Sequence, residues 1–285
     1  MFALFSRKLS KNWLMILGWG IGLALLGFLL FDVYETFFVE DVAIEQILEV
    51  FPEEVLAFFG GDINIFEPEG FLHLEFFSYM PIILGFVFIS AATSMITKKE
   101  EDGTLELILA QPISRSAVFW SRFMALVISL VLILTIALGG FIMGHEYQDA
   151  FEVEYIDLVY PFITLFAILF VYFSFALFVS MILPSGASVF VGGILLIASW
   201  FITSLSLIYE PLENVSRFSP MEYYQGGAAM VDVNVEHLLI LLGAGLVFTI
   251  LAWILFIKRD LRFGSSGGIK LALPRKVSEA ERGAE

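Results

Sequence analysis

The sequence predicts an all-α integral membrane protein with six transmembrane helices and both termini cytoplasmic. Three observations predict it. First, six runs of about twenty residues (13–31, 76–97, 123–143, 159–183, 187–209 and 238–257) contain no Asp, Glu, Lys or Arg. At about 1.5 Å of rise per residue, each spans or nearly spans a hydrocarbon core of about 30 Å. Second, 59% of residues are apolar and the mean hydropathy is +0.89, which excludes an ordinary soluble globule. Third, when the connections alternate between two sides, 14 of the 15 Lys and Arg residues fall together and only Arg217 falls opposite. By the positive-inside rule the basic side faces the cytoplasm, and an even number of crossings returns both termini to it.

The net charge of −15 averages two unlike surfaces. The outer segments carry 22 acids and one base, the inner segments 14 bases and 8 acids. The inner surface therefore suits a lipid bilayer with anionic headgroups. Its bases are scattered over short segments among acids, which argues against nucleic acid as a partner. With no cysteine, neither disulfides nor thiolate metal sites exist.

Residues 1–12 place Phe2, Phe5 and Leu9 on one helical face with Arg7, Lys8 and Lys11 elsewhere. That pattern fits a cytoplasmic interfacial helix, and equally a frayed terminus. The first apolar run is too long for a signal h-region, and acids rather than a small-residue cleavage site follow it. The transmembrane domain is expected over 13–257. Its longest outer connection, 32–75, is acidic and contains Pro52-Glu53-Glu54 followed by apolar residues up to Gly60-Gly61, a short helix with Pro and acids at its start. A tight inner turn, Pro184-Ser185-Gly186, makes the fourth and fifth spans antiparallel neighbours. The outer segment 210–237 has a re-entrant-like character, with Arg217 and aromatic residues suited to a short structured element. From Lys258 onward, Gly264-Ser265-Ser266-Gly267-Gly268 and a polar end predict a flexible cytoplasmic tail over 258–285.

The informative connection is the inner loop 98–118. Lys98 and Lys99 mark the membrane exit, and Asp102 is placed to cap a short helix. On that helix Leu105, Ile108 and Leu109 share a face. Pro112 ends it and Ser114 can cap the next span. So short a helix needs a surface to pack on, and geometry alone leaves the headgroups and a partner protein both open.

The run Glu100-Glu101-Asp102-Gly103-Thr104-Leu105-Glu106, followed by an apolar stretch, Pro112 and Ser114-Arg115, resembles the signature between the second and third spans of type-2 ABC-transporter permeases. The outer stretch from Pro52 to Gly70, and Ser219-Pro220 in the last outer loop, are similar to that family's weaker outer motifs. Ser121-Arg122 departs from the Gly-Lys that members often carry, but keeps the charge. The resemblance implies a machine of two permease subunits, identical or different, and two cytoplasmic ABC ATPase subunits in a prokaryotic plasma membrane. Residues Glu100, Glu101, Asp102, Gly103, Thr104, Leu105, Glu106, Ile108, Leu109, Pro112 and Arg115 would form the coupling helix and its charged rim. Pro52, Gly70, Ser219 and Pro220 would be structural residues of the outer loops.

The chain itself is not expected to be an enzyme. It lacks Gly-x-x-x-x-Gly-Lys-Ser/Thr, so the resemblance places ATP and Mg on the partner. The spans offer no carboxylate or Lys relay for a proton- or sodium-driven carrier. Hydroxyls in the spans can bond to their own helix carbonyls. Gly18, Gly20, Gly22, Gly27, Gly192 and Gly193 permit close helix approach. His73, His145 and His237 lie at outer span ends beside acids; a joint metal site can be drawn, but no metal is expected. Two other functions stay open, an integral membrane enzyme acting on lipid or peptide and a non-transporting sensor subunit of ABC type.

Overall fold

The computed structural model describes residues 2–36, 67–110, 112–147 and 153–258. Among these residues all regular structure is helical, and six helices are long and apolar enough to cross a membrane.

The first helix, α1 (Phe2–Lys11), confirms the helical reading of the amino terminus, and its Leu4 and Leu9 pack against the core. The chain turns at Asn12 into α2 (Trp13–Tyr34), the first span. Its Asp32, expected to open the outer loop, is still helical. The short helix of the outer loop, with Pro52, lies outside the described residues.

The second span starts earlier than the charge pattern implies. It comprises α3 (Pro68–Leu72), a π-helical turn (His73–Phe77) and α4 (Met80–Glu101). Pro68 occupies the first turn of α3 beside Glu69, whose charge suits a helix N-terminus. The interruption has an identifiable cause in Pro81 at the start of α4. Proline has no N–H, so the Phe77 carbonyl four residues earlier lacks its α-helical donor. The Tyr224 hydroxyl, from a distant loop, donates to that carbonyl at 3.0 Å.

Beyond α4, the two-turn helix α5 (Thr104–Leu109) precedes α6 (Arg115–Tyr147), α7 (Tyr155–Ser180) and α8 (Ser185–Ser206). The segment then forms a 3-10 turn (Glu210–Leu212), α9 (Glu213–Ser216) and two more 3-10 turns (Pro220–Tyr223 and Gly226–Met230) before α10 (Val235–Lys258). Segment 210–237 is thus built largely from short helical turns. The fifth span ends at Ser206, three residues short of the apolar run.

Helix α7 is the hub, in contact with α4, α6, α8 and α10. The most extensive pairing is that of α2 with α6. Lipid chains are as apolar as leucine, so close van der Waals fit rather than water exclusion holds such pairs together. Glycine supplies the fit. A Cβ on Gly20 would lie 3.0 Å from Ile136, one on Gly27 would overlap the Phe141 ring, and one on Gly140 would overlap the Ala24 backbone. Gly192 lies similarly against Ile89 and Ala176. Gly18 and Gly22, by contrast, face open space. Near the end opposite the Lys98–Lys99 exit, Phe76, Phe77, Phe141 and Phe162 interlock largely edge to face, with centroids 4.8–6.1 Å apart.

Candidate functional site: the loop between the second and third spans

Helix α4 stops where Gly103 adopts φ +70°, the left-handed conformation that ends a helix at little cost only for glycine. The Gly103 N–H reaches back to the Glu100 carbonyl, and the Thr104 hydroxyl donates to the Lys99 carbonyl at 3.1 Å. Asp102, expected to cap α5, is instead the residue that caps the carboxyl end of α4. A Gly103→Ala substitution is expected to cost about 1 kcal/mol, read as a lower unfolding temperature.

The loop turns back on its own bundle more than the sequence suggested. Leu105 is completely buried, and Ile108 and Leu109 pack against the core beside it. The apolar face expected to be offered to a partner thus rests on the chain itself, with α4 in contact. Leu107, off the face that Leu105, Ile108 and Leu109 share, is 72% exposed and projects away. Nothing is described of the Glu106 side chain.

The acidic pair divides, with Glu100 turned inward and Glu101 exposed. Glu100 is 2% exposed. Glu101 reaches across to the start of α8, where its carboxylate accepts from the Ser185 backbone N–H at 2.7 Å and from the Ser185 hydroxyl. Pro184 precedes that helix and cannot cap it with a side chain, so a carboxylate from a different loop satisfies the exposed N–H. Arg115 points toward the end of α10, with Nη1 3.5 Å from the Ile257 carbonyl. One residue on, the Ser116 hydroxyl accepts from the Trp253 indole at 3.2 Å. Pro112 is exposed, and Ser114 caps α6 as expected by accepting from the Ala117 N–H at 3.2 Å. The loop is consequently fastened to α4, α8 and α10 together.

At the opposite end, Ser219 is buried and joins α8 to the 3-10 turn Pro220–Tyr223. Its hydroxyl accepts from the Met221 N–H and from the Thr203 hydroxyl, and donates to the Ser199 carbonyl. Pro220 follows as the first residue of a 3-10 turn. The Ser199 hydroxyl meets the Tyr172 hydroxyl at 2.6 Å, extending this network into α7. Several other span hydroxyls bond to their own helix, as expected. The Ser219→Ala variant leaves the Met221 N–H and Thr203 without their acceptor. An unfolding temperature lowered by the equivalent of about 1–3 kcal/mol is expected.

Gly70 is buried in α3. The histidines have separate surroundings. His73 Nδ1 accepts from the Gly227 N–H at 2.9 Å, His145 meets Tyr155 edge to face, and His237 meets Tyr223 likewise. Among the described residues no group of three or more His, Asp or Glu could hold a metal ion.

A profile described as ABC-2 family transporter protein matches residues 11–261. The chain belongs to the ABC-2 transporter family. No curated protein and no solved structure matches it. ABC-2 membrane proteins are permease subunits of ABC transporters, not the ATPases, and generally work with ATPase subunits. With its six apolar helices, this ABC-2 protein is a multi-pass membrane protein. Sequence reasoning missed Ser185, Tyr172 and Tyr224, all of which act through distant contacts.

Proposed function

We propose that this ABC-2 permease subunit belongs to an exporter in a prokaryotic plasma membrane, driven by separate cytoplasmic ATPase subunits. The basic end faces the cytoplasm, and loop 98–118 receives the ATPase stroke. ATP and Mg are held by the partner, and a second permease subunit completes the path. The observation that carries this reading is the exposed Leu107 on a short helix whose flanking residues are fastened to other spans. An apolar knob on a rigid mount suits a helix-in-groove contact with a soluble partner. Closure of the ATPases would push on α5, and the loop's ties, Leu105 within α5 and Glu101 and Arg115 on either side of it, would pass the displacement into α4, α8 and α10.

The expected result of Leu107→Asp is a loss of the co-purifying ATPase of about ten-fold or more, since a charge replaces an apolar anchor in a groove. Transport by the reconstituted complex should fall with it while the unfolding temperature holds. Full transport and undiminished co-purification in that variant would remove the loop from the mechanism.

A further inference from the structure

Four basic side chains from three elements converge at the basic end. The Asn12 amide donates to the Ser129 hydroxyl at 3.0 Å, pinning the α1–α2 junction against α6. One helical turn before Asn12 stands Lys8, and two turns before Ser129 on α6 stands Arg122, so these two occupy the same seam. Arg122 in turn donates to the Met95 carbonyl of α4. Lys99 lies one turn beyond Met95 on the same face of α4, and Lys11 one turn beyond Lys8 on α1. The charges acting on Lys8 are all positive, Arg122, Lys99 and Lys11, and among the described residues no carboxylate pairs with Lys8, Lys11 or Lys99. Burial, then this repulsion, holds the Lys8 amine below its ordinary value.

Such convergence is unfavourable unless an anion occupies it. The location selects the anion. Trp13, exposed at the start of the first span and just beyond Lys11, is the kind of indole that marks a bilayer–water boundary. Helix α1 lies immediately before the first span. We propose that Lys8, Lys11, Lys99 and Arg122 hold the phosphate of an anionic phospholipid headgroup from the adjoining leaflet. The lipid would act as a bridge between α1, α4 and α6, supplying the negative charge that this seam lacks. This assignment does not depend on the transport direction or on the ATPase contact.

The test is native mass spectrometry of the full-length protein released from vesicles of equal phosphatidylglycerol and phosphatidylcholine. The wild type should retain phosphatidylglycerol preferentially. The Lys8→Gln/Lys99→Gln variant should lower the retained phosphatidylglycerol-to-phosphatidylcholine ratio by roughly ten-fold, as expected for two removed headgroup contacts. Lys8→Arg/Lys99→Arg, which keeps the charge, should restore it. Arg7→Gln/Lys98→Gln removes the same net charge from the same end outside the cluster and should leave the ratio within about two-fold. Equal loss in both Gln pairs would reduce the site to diffuse surface charge and overturn the proposal. Displacement of the lipid by millimolar inorganic phosphate would overturn it in favour of a soluble anion. An unchanged lipid ratio with loss of the ATPase would overturn it in favour of an acidic protein surface.

Discussion

Replacing Gly140 by Ala is expected to loosen α2 from α6, while the same change at Gly139 should be harmless. A Cβ at 140 would overlap the Ala24 backbone, including its carbonyl oxygen. Backbone in mid-helix cannot swing aside as a side-chain tip can, so the two helices must separate. Overpacking of this kind costs about 1–3 kcal/mol, set against a helix-propensity gain of up to about 1 kcal/mol. At Gly139 nothing lies within 4 Å, so only the favourable term remains. Thermal unfolding of the full chain in nanodiscs, followed by Trp fluorescence, should show a drop of roughly 5 °C for Gly140→Ala. Gly139→Ala should match or exceed the wild type. Equal behaviour of the two variants would show that α6 turns a different face to α2.

The second large effect is expected at Glu101. In Glu101→Ala, the amino end of α8 loses a charged acceptor for both the N–H and the hydroxyl of Ser185. The pair is exposed, so solvent screening keeps its contribution to stability to about 1 kcal/mol. Its effect on function should be larger, because the loop then moves without the fifth span. ATP turnover by the reconstituted complex should persist while transport per ATP falls several-fold. Ser185→Ala should do the same to a smaller degree, and the double variant should be no worse than Glu101→Ala alone. Additive losses would mean that the two residues act independently. Because Glu101 grips this chain rather than projecting outward, ATPase co-purification should survive Glu101→Ala yet fail in Leu107→Asp. That contrast separates a transmission defect from a docking defect.

How much of the candidate site was legible depended on how local its chemistry is. Gly103, Pro112 and Ser114 punctuate the loop through backbone rules that act over a few residues, so the loop, its short helix and the cap of α6 were readable. The orientation of α5 was not. Leu105, Leu107, Ile108 and Leu109 are all apolar, so the pattern alone does not say which side of the helix is covered. Which side is covered depends on how the short helix docks on the rest of the chain, and it docks with Leu105 inward. The start of the second span was misjudged for a related reason. The uncharged run begins only after Glu75, yet the helix begins at Pro68, continues through a π-helical turn and has its Phe77 carbonyl satisfied by the Tyr224 hydroxyl.

The chain's composition by itself determined a six-crossing helical bundle with one basic and one acidic end. Charged side chains are too costly in hydrocarbon to interrupt a span, so their absence marks each crossing without knowledge of its neighbours. Tertiary structure alone decided which glycines clasp, which face of α5 is left uncovered and which helix Glu101 holds. Those outcomes depend on distances between segments far apart in the chain, where apolar residues of similar size are interchangeable until packing selects among them.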